Sequence, residues 1–270
     1  MLKDITFGQY IETRSPIHKA DPRVKMVLLI LLVVFIFVSK NMFALALSFV
    51  FVAAVVIITR IPVKMYLKNL KAILPIIIFT TIINMFYGDE SSGVLVSFWK
   101  LSVTYDGLYR AAFMAIRIIL LIIISSSLTY TTTPNDLTDA IERLLTPLKF
   151  VGLKSAVHTL ALMMTIALRF IPTLVEEAQK IMNAQKARGA DLENGNLKER
   201  IKALIPILIP LLISSVRRAY ELAEAMECRC YNGGEGKTRM KQLRMHFGDY
   251  FMIAITLCFC AGIILLNIFL

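Results

Sequence analysis

The amino-acid sequence predicts an all-α integral membrane protein with about five transmembrane helices and a helical module in the cytoplasm. The first observation is composition: 57% of the 270 residues are hydrophobic and 18% are charged, with a mean hydropathy of +0.68. Such values are typical of integral membrane proteins. Second, the apolar residues gather in runs close to the ~20 residues that a helix needs to cross a bilayer. Third, lysines and arginines collect between these runs, which favours a membrane protein over a nucleic-acid-binding one despite the net charge of +11.

The predicted spans follow the apolar runs at residues 24–38, 42–59, 72–87, 111–130 and 250–270. The third run is rich in β-branched residues. A lone strand in lipid cannot satisfy its backbone hydrogen bonds, so a helix is predicted there too.

The flanks of these runs carry local signals. Asp21 followed by Pro22 predicts the start of the first helix, because aspartate caps a helix and proline fits its first position. Residues 60–71 are predicted to form a cytoplasmic loop with an interfacial helix. Residues 88–110 are predicted to form an outer loop, in which Trp99 belongs to an aromatic belt at the membrane surface.

The distribution of lysine and arginine orients the chain. With five spans, 26 of the 30 basic residues lie on the same side as the N-terminus. Basic residues are enriched in cytoplasmic segments, so the N-terminus is predicted inside the cell and the C-terminus outside.

Residues 131–249 are predicted to form the cytoplasmic module, between a membrane domain at 1–130 and a final span at 250–270. Its apolar segments 154–172 and 203–216 are not assigned as spans. The second makes only about 20 Å of helix against a ~30 Å hydrocarbon core, and spanning would place the basic loop between the two segments outside.

Within this module, Thr133 and Pro134 predict the start of a helix that runs to about Phe150 and is broken by Pro147 and Gly152. The module is unusually apolar for a segment outside the membrane. Such a surface is expected to be covered by protein or to lie at the membrane face.

Several chemistry-bearing residues leave alternatives open. Arg117, inside the fourth predicted span, either snorkels or forms a structural ion pair, or it acts in transport. His158 is interpreted as a packed or interfacial residue rather than a ligand. The two Cys-x-Cys pairs have no His or Cys cluster nearby, so no metal site and no cofactor are predicted.

The stretch 184–190, Ala-Gln-Lys-Ala-Arg-Gly-Ala, ends a long helical pattern that begins near Lys154 and contains Pro172. Such a helix is about 54 Å long at ~1.5 Å per residue. Gly189 is expected to end it in a left-handed conformation. The pattern returns 41 residues later, where Arg229 matches Arg188. Two helices that end in the same exposed arginine indicate two similar binding partners.

Four segments resemble the transmembrane T component of energy-coupling factor (ECF) transporters, the EcfT/CbiQ family. They are His18-Lys19-Ala20-Asp21-Pro22-Arg23-Val24-Lys25, Thr131-Thr132-Thr133-Pro134-Asn135-Asp136-Leu137, Leu168-Arg169-Phe170-Ile171-Pro172 and Ala184-Gln185-Lys186-Ala187-Arg188-Gly189. The resemblance covers nearly the whole chain, and the last segment is the most specific.

The resemblance implies a non-catalytic scaffold in a prokaryotic cell membrane. It would join two ATP-binding-cassette ATPases, identical or paralogous, to a substrate-binding membrane subunit, the S component, for vitamin or micronutrient uptake. The ATPase-coupling residues would be Ala187, Arg188, Gly189, Cys228, Arg229 and Cys230. The second arginine motif departs from the family's Ala-Arg-Gly, since cysteines flank Arg229. We expect the S component, or the membrane face, to contact Met163, Met164, Leu204, Leu208 and Leu212.

Two other function classes are weighed against this one. A membrane-embedded enzyme, such as a lipid-modifying transferase or hydrolase, would need clustered acid–base or metal groups. The three histidines are scattered and no predicted span pairs two carboxylates. A channel would need a polar stripe suited to a pore, and no span offers one. A Walker sequence is also missing from this chain, so any ATP hydrolysis would reside in partner subunits.

Overall fold

The computed structural model describes residues 10–13, 15–86, 94–98, 101–146, 154–190, 197–233 and 245–269. Its helices are α1 (Pro16–Lys19), α2 (Pro22–Val38), α3 (Met42–Thr59), α4 (Val63–Phe86), α5 (Tyr105–Thr131), α6 (Pro134–Leu144), α7 (Lys154–Ala187), α8 (Leu197–Glu227) and α9 (Phe247–Phe269). Strands β1 (Val94–Phe98) and β2 (Leu101–Thr104) form one antiparallel pair. The all-α class is confirmed, with this short pair as an addition.

The described residues fall into two compact units. One contains α1 to α5, the first turn of α6 and α9. The other contains the rest of α6 together with α7 and α8.

The first unit has a continuous apolar core built from α2, α3, α5 and α9. Its fully buried side chains include Ile36, Leu45, Leu120 and Ile263. The Phe51 and Phe259 rings stack with centroids 4.3 Å apart. Helix α4 packs against α5 and keeps most of its surface exposed, as suits a helix that faces lipid.

The local start signals act as the sequence predicts. The side chain of Asp21 accepts a hydrogen bond from the N–H of Arg23 at 3.0 Å, and α2 begins at Pro22. The Thr133 hydroxyl accepts from the N–H of Asp136 at 3.2 Å, and α6 begins at Pro134. The expected helix breaks at Pro147 and Gly152 lie outside the described residues.

The segment 60–71, predicted as a loop with an interfacial helix, is helical from Val63 onward, and this helix continues without a break into the predicted span at 72–87. Lys64, Lys68 and Lys71 explain why, since they recur every three to four residues and share one exposed face of α4. Pro75 lies inside this helix without ending it.

The outer loop predicted at 88–110 is also shorter than expected. Helix α5 already begins at Tyr105, because the Thr104 hydroxyl caps it by accepting from the N–H of Gly107 at 3.2 Å. A side-chain carbon at Gly107 would lie 2.5 Å from the Met85 carbonyl oxygen, so glycine lets the end of α4 approach the start of α5. Residues 88–93 and Trp99 lie outside the described part.

Among the described residues, five helices are long and apolar enough to cross a membrane by length and composition: α3, α4, α5, Ala156–Ala187 of α7, and α9. Four of them overlap predicted spans. The remaining predicted span, at residues 24–38, corresponds to α2, whose 17 residues make about 26 Å of helix at ~1.5 Å per residue. Helix α7 meets the criterion although its apolar segment 154–172 is not among the predicted spans.

Candidate functional site

Helices α7 and α8 pack against each other as an antiparallel pair. Arg218 on α8 donates from Nη2 to Glu177 Oε2 on α7 at 2.8 Å and from Nε at 3.1 Å. The Ser214 hydroxyl donates to the other carboxylate oxygen of Glu177. Three donors from one helix therefore converge on one carboxylate of the other and fix their register.

A second contact joins the end of α7 to the first half of α8. Proline at position 210 has no N–H, so the carbonyl of Pro206 loses its usual partner within the helix. The side-chain amide of Gln185 donates to this carbonyl at 3.4 Å. The glutamine of the first arginine motif therefore satisfies a backbone group that a proline leaves open.

The first arginine lies in a capped helix end. Helix α7 ends at Ala187, and Gly189 has φ +87°, in the left-handed region. The Gly189 N–H donates to the Lys186 carbonyl and the Ala190 N–H to the Gln185 carbonyl, both at 3.0 Å. This is the Schellman pattern of helix termination, and the expected left-handed end at Gly189 is confirmed.

The second arginine lies in the same geometry. Helix α8 ends at Glu227, and the Cys230 N–H donates to the Glu227 carbonyl at 2.8 Å. The Tyr231 N–H donates to the Met226 carbonyl at 3.1 Å. Cys230 takes the left-handed position with φ +53°. The 41-residue sequence repeat is therefore also a repeat of backbone geometry, and a cysteine fills the place of glycine.

The paired helices carry the two arginines to opposite ends. Arg188 lies eleven positions after Glu177, and Arg229 lies eleven positions after Arg218. At ~1.5 Å per residue each arginine is about 16 Å of helix beyond the Glu177–Arg218 contact, which places the two up to about 33 Å apart. Both side chains are exposed. Each also follows the last turn of a helix, where the macrodipole is negative and stabilises a cation.

The second arginine borders a groove of about 660 Å³ between α7 and α8. Its polar lining comes from Arg169, Arg218, Glu221 and Arg229, and its apolar lining includes Phe170 and Met226. The resemblance motif around Leu168–Pro172 thus supplies one wall of a groove beside the second tip.

The apolar surface expected for the module is present. On α8, Leu204, Leu208 and Leu212 are 46%, 57% and 66% exposed, and on α7 Met163 is 64% exposed. Met164 is half-buried. The five residues expected to contact a membrane partner therefore divide into four open side chains and one partly packed one.

Sequence reasoning did not find the Glu177–Arg218 pair. The signal was available, because the two residues are 41 positions apart and so occupy equivalent places in the repeat with opposite charges. The pairing of His158 Nδ1 with Glu142 at 3.6 Å was also not predicted, and it joins α6 to α7.

These features define a class of protein: a helical membrane protein that presents two matched, arginine-bearing helix ends from one compact unit. The chain matches the family model CbiQ, described as cobalt transport protein, over residues 13–240. It therefore belongs to the EcfT/CbiQ family of transmembrane components of ECF transporters.

Curated relatives agree with this assignment. The chain is 52% identical over 268 residues to the energy-coupling factor transporter transmembrane protein EcfT of Ruminiclostridium cellulolyticum, covering 99% of this chain and 98% of that protein. It is 47% identical over 251 residues to the EcfT of Clostridium kluyveri, covering 93% and 92%. The EcfT of Bacillus subtilis is 44% identical over 244 residues, covering 90% and 91%. The chain is a transporter subunit rather than an enzyme, and the membrane-enzyme alternative is not favoured.

Proposed function

We propose that this chain is the non-catalytic scaffold of an ECF-type importer, in which Arg188 and Arg229 each dock one of two ATPase subunits. The observation that carries the proposal is the repeated tip: the same capped arginine, exposed, at opposite ends of one helix pair. An arginine offers a planar fork of donors to carboxylates and carbonyls. Because both tips belong to one helix pair, movement of either ATPase acts on the same structural unit.

The experiment replaces the arginines singly and together in the full complex. Loss of a desolvated charged anchor costs ~2–5 kcal/mol of binding, so Arg188→Ala and Arg229→Ala should each release one ATPase. The double variant should abolish ATP-driven uptake in liposomes. Arg188→Lys should restore docking only in part, because the fork is lost. Arg217→Ala, which removes an exposed arginine on α8 away from either tip, is the matched control.

The number of ATPase subunits bound per chain is the direct readout, and uptake is the functional one. A double alanine variant that assembles and transports like the wild type would rule out this mechanism. Loss of assembly in the Arg217→Ala control would show that the effect is not specific to the tips.

We further infer that the exposed apolar face of the helix pair receives the S component, which carries the vitamin or micronutrient. The face includes Met163, Leu204, Leu208 and Leu212, with Met164 at its edge. Exposed apolar side chains on a segment predicted to lie outside the membrane are typical of interaction sites. Methionine adds side chains that adapt to differently shaped partners, which suits exchange of one S component for another.

This contact is tested with Leu208→Asp and Leu212→Asp. Each should weaken capture of the S component and leave ATPase binding intact, because neither leucine belongs to either arginine motif. Arg217→Asp places the same side chain on the opposite face of α8 and serves as the control. Unchanged capture by folded aspartate variants would contradict the proposal.

The proposed orientation has the N-terminus and residues 131–249 in the cytoplasm and the C-terminus outside. The excess of lysine and arginine in these segments supports it. In this arrangement α7 lies outside the bilayer although its length and composition would allow it to cross.

Thiol labelling tests the orientation in a background that lacks the four native cysteines. Ala190→Cys and Gly236→Cys should react with a membrane-impermeant maleimide only from the cytoplasmic side, and Ser92→Cys only from the outside. Positions 92 and 236 lie outside the described residues. Reaction of Ala190→Cys from the outside would show that the five-span arrangement is wrong.

A further inference from the structure

Two cysteines flank the second arginine, and neither is used by the docking mechanism. Cys228 and Cys230 stand at the positions that Ala187 and Gly189 occupy at the first tip. Both are free and exposed. The other two cysteines, Cys258 and Cys260, lie within the apolar helix α9. Among the described residues outside α9, the exposed thiols are therefore the two that flank Arg229.

The backbone does not require sulfur at this place. Cys230 adopts φ +53°, a left-handed conformation that is unfavourable for residues other than glycine. Glycine at the equivalent position of the first tip closes the same Schellman pattern without that cost. The cysteine is thus the less favourable residue for the cap, and its side chain is exposed.

We propose that Cys228 and Cys230 are a thiol–disulfide exchange site for low-molecular-weight disulfides, and that an adduct on either one blocks docking at the second tip. The inference rests on the proposed function, since it needs Arg229 to enter a partner. Attack by a thiolate requires an accessible sulfur, and both sulfurs are accessible in the undocked chain.

The reaction balances within its two reactants. A cysteine thiol loses its proton to solvent, and the thiolate attacks one sulfur of the small disulfide. A new sulfur–sulfur bond joins the cysteine to half of the reagent, and the old bond breaks. The other half leaves as a thiolate that carries the electron pair. The cysteine sulfur is oxidised, the leaving sulfur is reduced, and excess small thiol reverses the step.

The adduct blocks docking sterically, because Arg229 has to approach its partner closely. A substituent on Cys228 or Cys230 lies one residue from Arg229, where the first tip has only a methyl group or a hydrogen atom. Docking and modification are therefore mutually exclusive, and a bound ATPase protects both thiols. The first tip has no cysteine, so modification releases one of two ATPases and leaves the other in place.

The test uses the full-length chain in detergent, with Cys258→Ala and Cys260→Ala to remove the α9 thiols. The probe is 2-hydroxyethyl disulfide, which adds an uncharged group, so that any effect comes from bulk rather than charge. Intact-mass measurement counts adducts, and native mass spectrometry counts the ATPase subunits captured afterwards. We expect capture to fall from two to one on modification and to return to two after reduction with excess thiol.

The matched control is Cys228→Ala with Cys230→Gly, which turns the second tip into the sequence of the first. Its capture of ATPases should be the same with the probe as without it, because the second tip then has no thiol. Adding Ala187→Cys to this control should restore sensitivity, now at the first tip. The inference would be overturned if no adducts formed on Cys228 and Cys230 in the chain that keeps both cysteines. It would also be overturned if both ATPases were still captured after adducts had formed.

One comparison separates this inference from the docking proposal. If Arg229→Ala without any probe still captures two ATPases, the docking proposal has failed. If Arg229→Ala captures one and the adduct-bearing chain captures two, only the exchange site has failed.

Discussion

The buried carboxylate of Asp249 accepts a hydrogen bond from the backbone N–H of Asp21 at 2.9 Å, across 228 residues of chain. Its other oxygen accepts from the N–H of His246 at 2.7 Å. Beside it, Lys25 donates to the carbonyl of Thr131 at 3.0 Å. These contacts join the starts of α2 and α9 to the end of α5. The His-Lys-Ala-Asp-Pro-Arg-Val-Lys motif is therefore the place where three helices of the first unit are tied together.

Replacing Asp249 should destabilise this unit. Asp249→Ala leaves the backbone N–H of the buried Asp21 without an acceptor, which costs roughly 1–3 kcal/mol, and also removes the acceptor of the N–H of the exposed His246. Unfolding of the purified chain in detergent measures the loss. Asp106→Ala removes a half-buried carboxylate that pairs with the exposed Arg110 and should cost less than about 1 kcal/mol. Equal losses in the two variants would contradict the role of Asp249.

Arg117 should be structural. Its Nη2 donates to the carbonyl of Ser39 at 2.6 Å, where α2 ends, and its guanidinium lies 4.6 Å from the centre of the Phe113 ring. Hydrogen bonds to charged groups contribute roughly 1.5–3 kcal/mol, so Arg117→Met should lower the free energy of unfolding by that amount. Uptake per assembled complex should stay within about twofold of wild type. A stable variant that has lost uptake would instead indicate a role in transport.

The His18 ring should make the N-terminal segment sensitive to acid. The Ile11 carbonyl can only accept, so His18 Nε2 carries the proton that it donates at 2.9 Å, and Nδ1 lies 2.6 Å from the Ser15 hydroxyl. Burial lowers the pKa of His18 below its ordinary value and so favours the neutral ring. The unfolded chain then takes up a proton first as the pH falls.

The sign of the effect follows from this lowered pKa. The contribution of the neutral ring is fully present above the ordinary pKa of ~6.5 and is lost as the pH falls through the pKa of the folded state. Unfolding midpoints measured between pH 8 and pH 5 should fall more steeply for wild type than for His18→Gln. The exposed His246, changed to Gln, is the control and should keep the wild-type slope.

The two helix caps should respond to opposite substitutions. At Gly189 an added side-chain carbon meets nothing within 4 Å, so Gly189→Ala costs only the left-handed backbone conformation, roughly 1 kcal/mol. Cys230→Gly should regain a similar amount. Hydrogen exchange of the Ala190 and Tyr231 amides, which close the two caps, should become about fivefold faster and about fivefold slower respectively. Gly248→Ala, with open space and no left-handed backbone, should change neither amide.

The sequence was most informative where a structural feature depends on adjacent residues. The starts of α2 and α6 depend on the pairs Asp21–Pro22 and Thr133–Pro134, and each pair carries its own hydrogen-bond acceptor and backbone preference. The left-handed end at Gly189 belongs to the same group. Local chemistry is sufficient in all three cases because the groups that it satisfies are only a few residues away.

Features that depend on distant residues were not predicted. The link from Asp249 to Asp21 has no local signal, since an aspartate near a helix start is common for many reasons. The continuity of α4 was missed, because the lysines at 64, 68 and 71 were interpreted as part of a separate segment before the third span although their spacing is helical. The Glu177–Arg218 pair lies between these cases. It is distant in sequence, yet the repeat that reveals the two tips also aligns its two members.

That pair has a consequence for the symmetry of whatever binds here. Two equivalent residues of a repeat that touch each other lie on an approximate twofold axis, with the equal arms of α7 and α8 running away from it in opposite directions. The surface that α7 and α8 of a single chain offer to partners therefore has approximate twofold symmetry. A pair of subunits related by their own dyad would meet the same arginine at either end. Two non-identical subunits could distinguish the two arginine-bearing ends only through residues that break this approximate symmetry, such as Cys230 in place of Gly189.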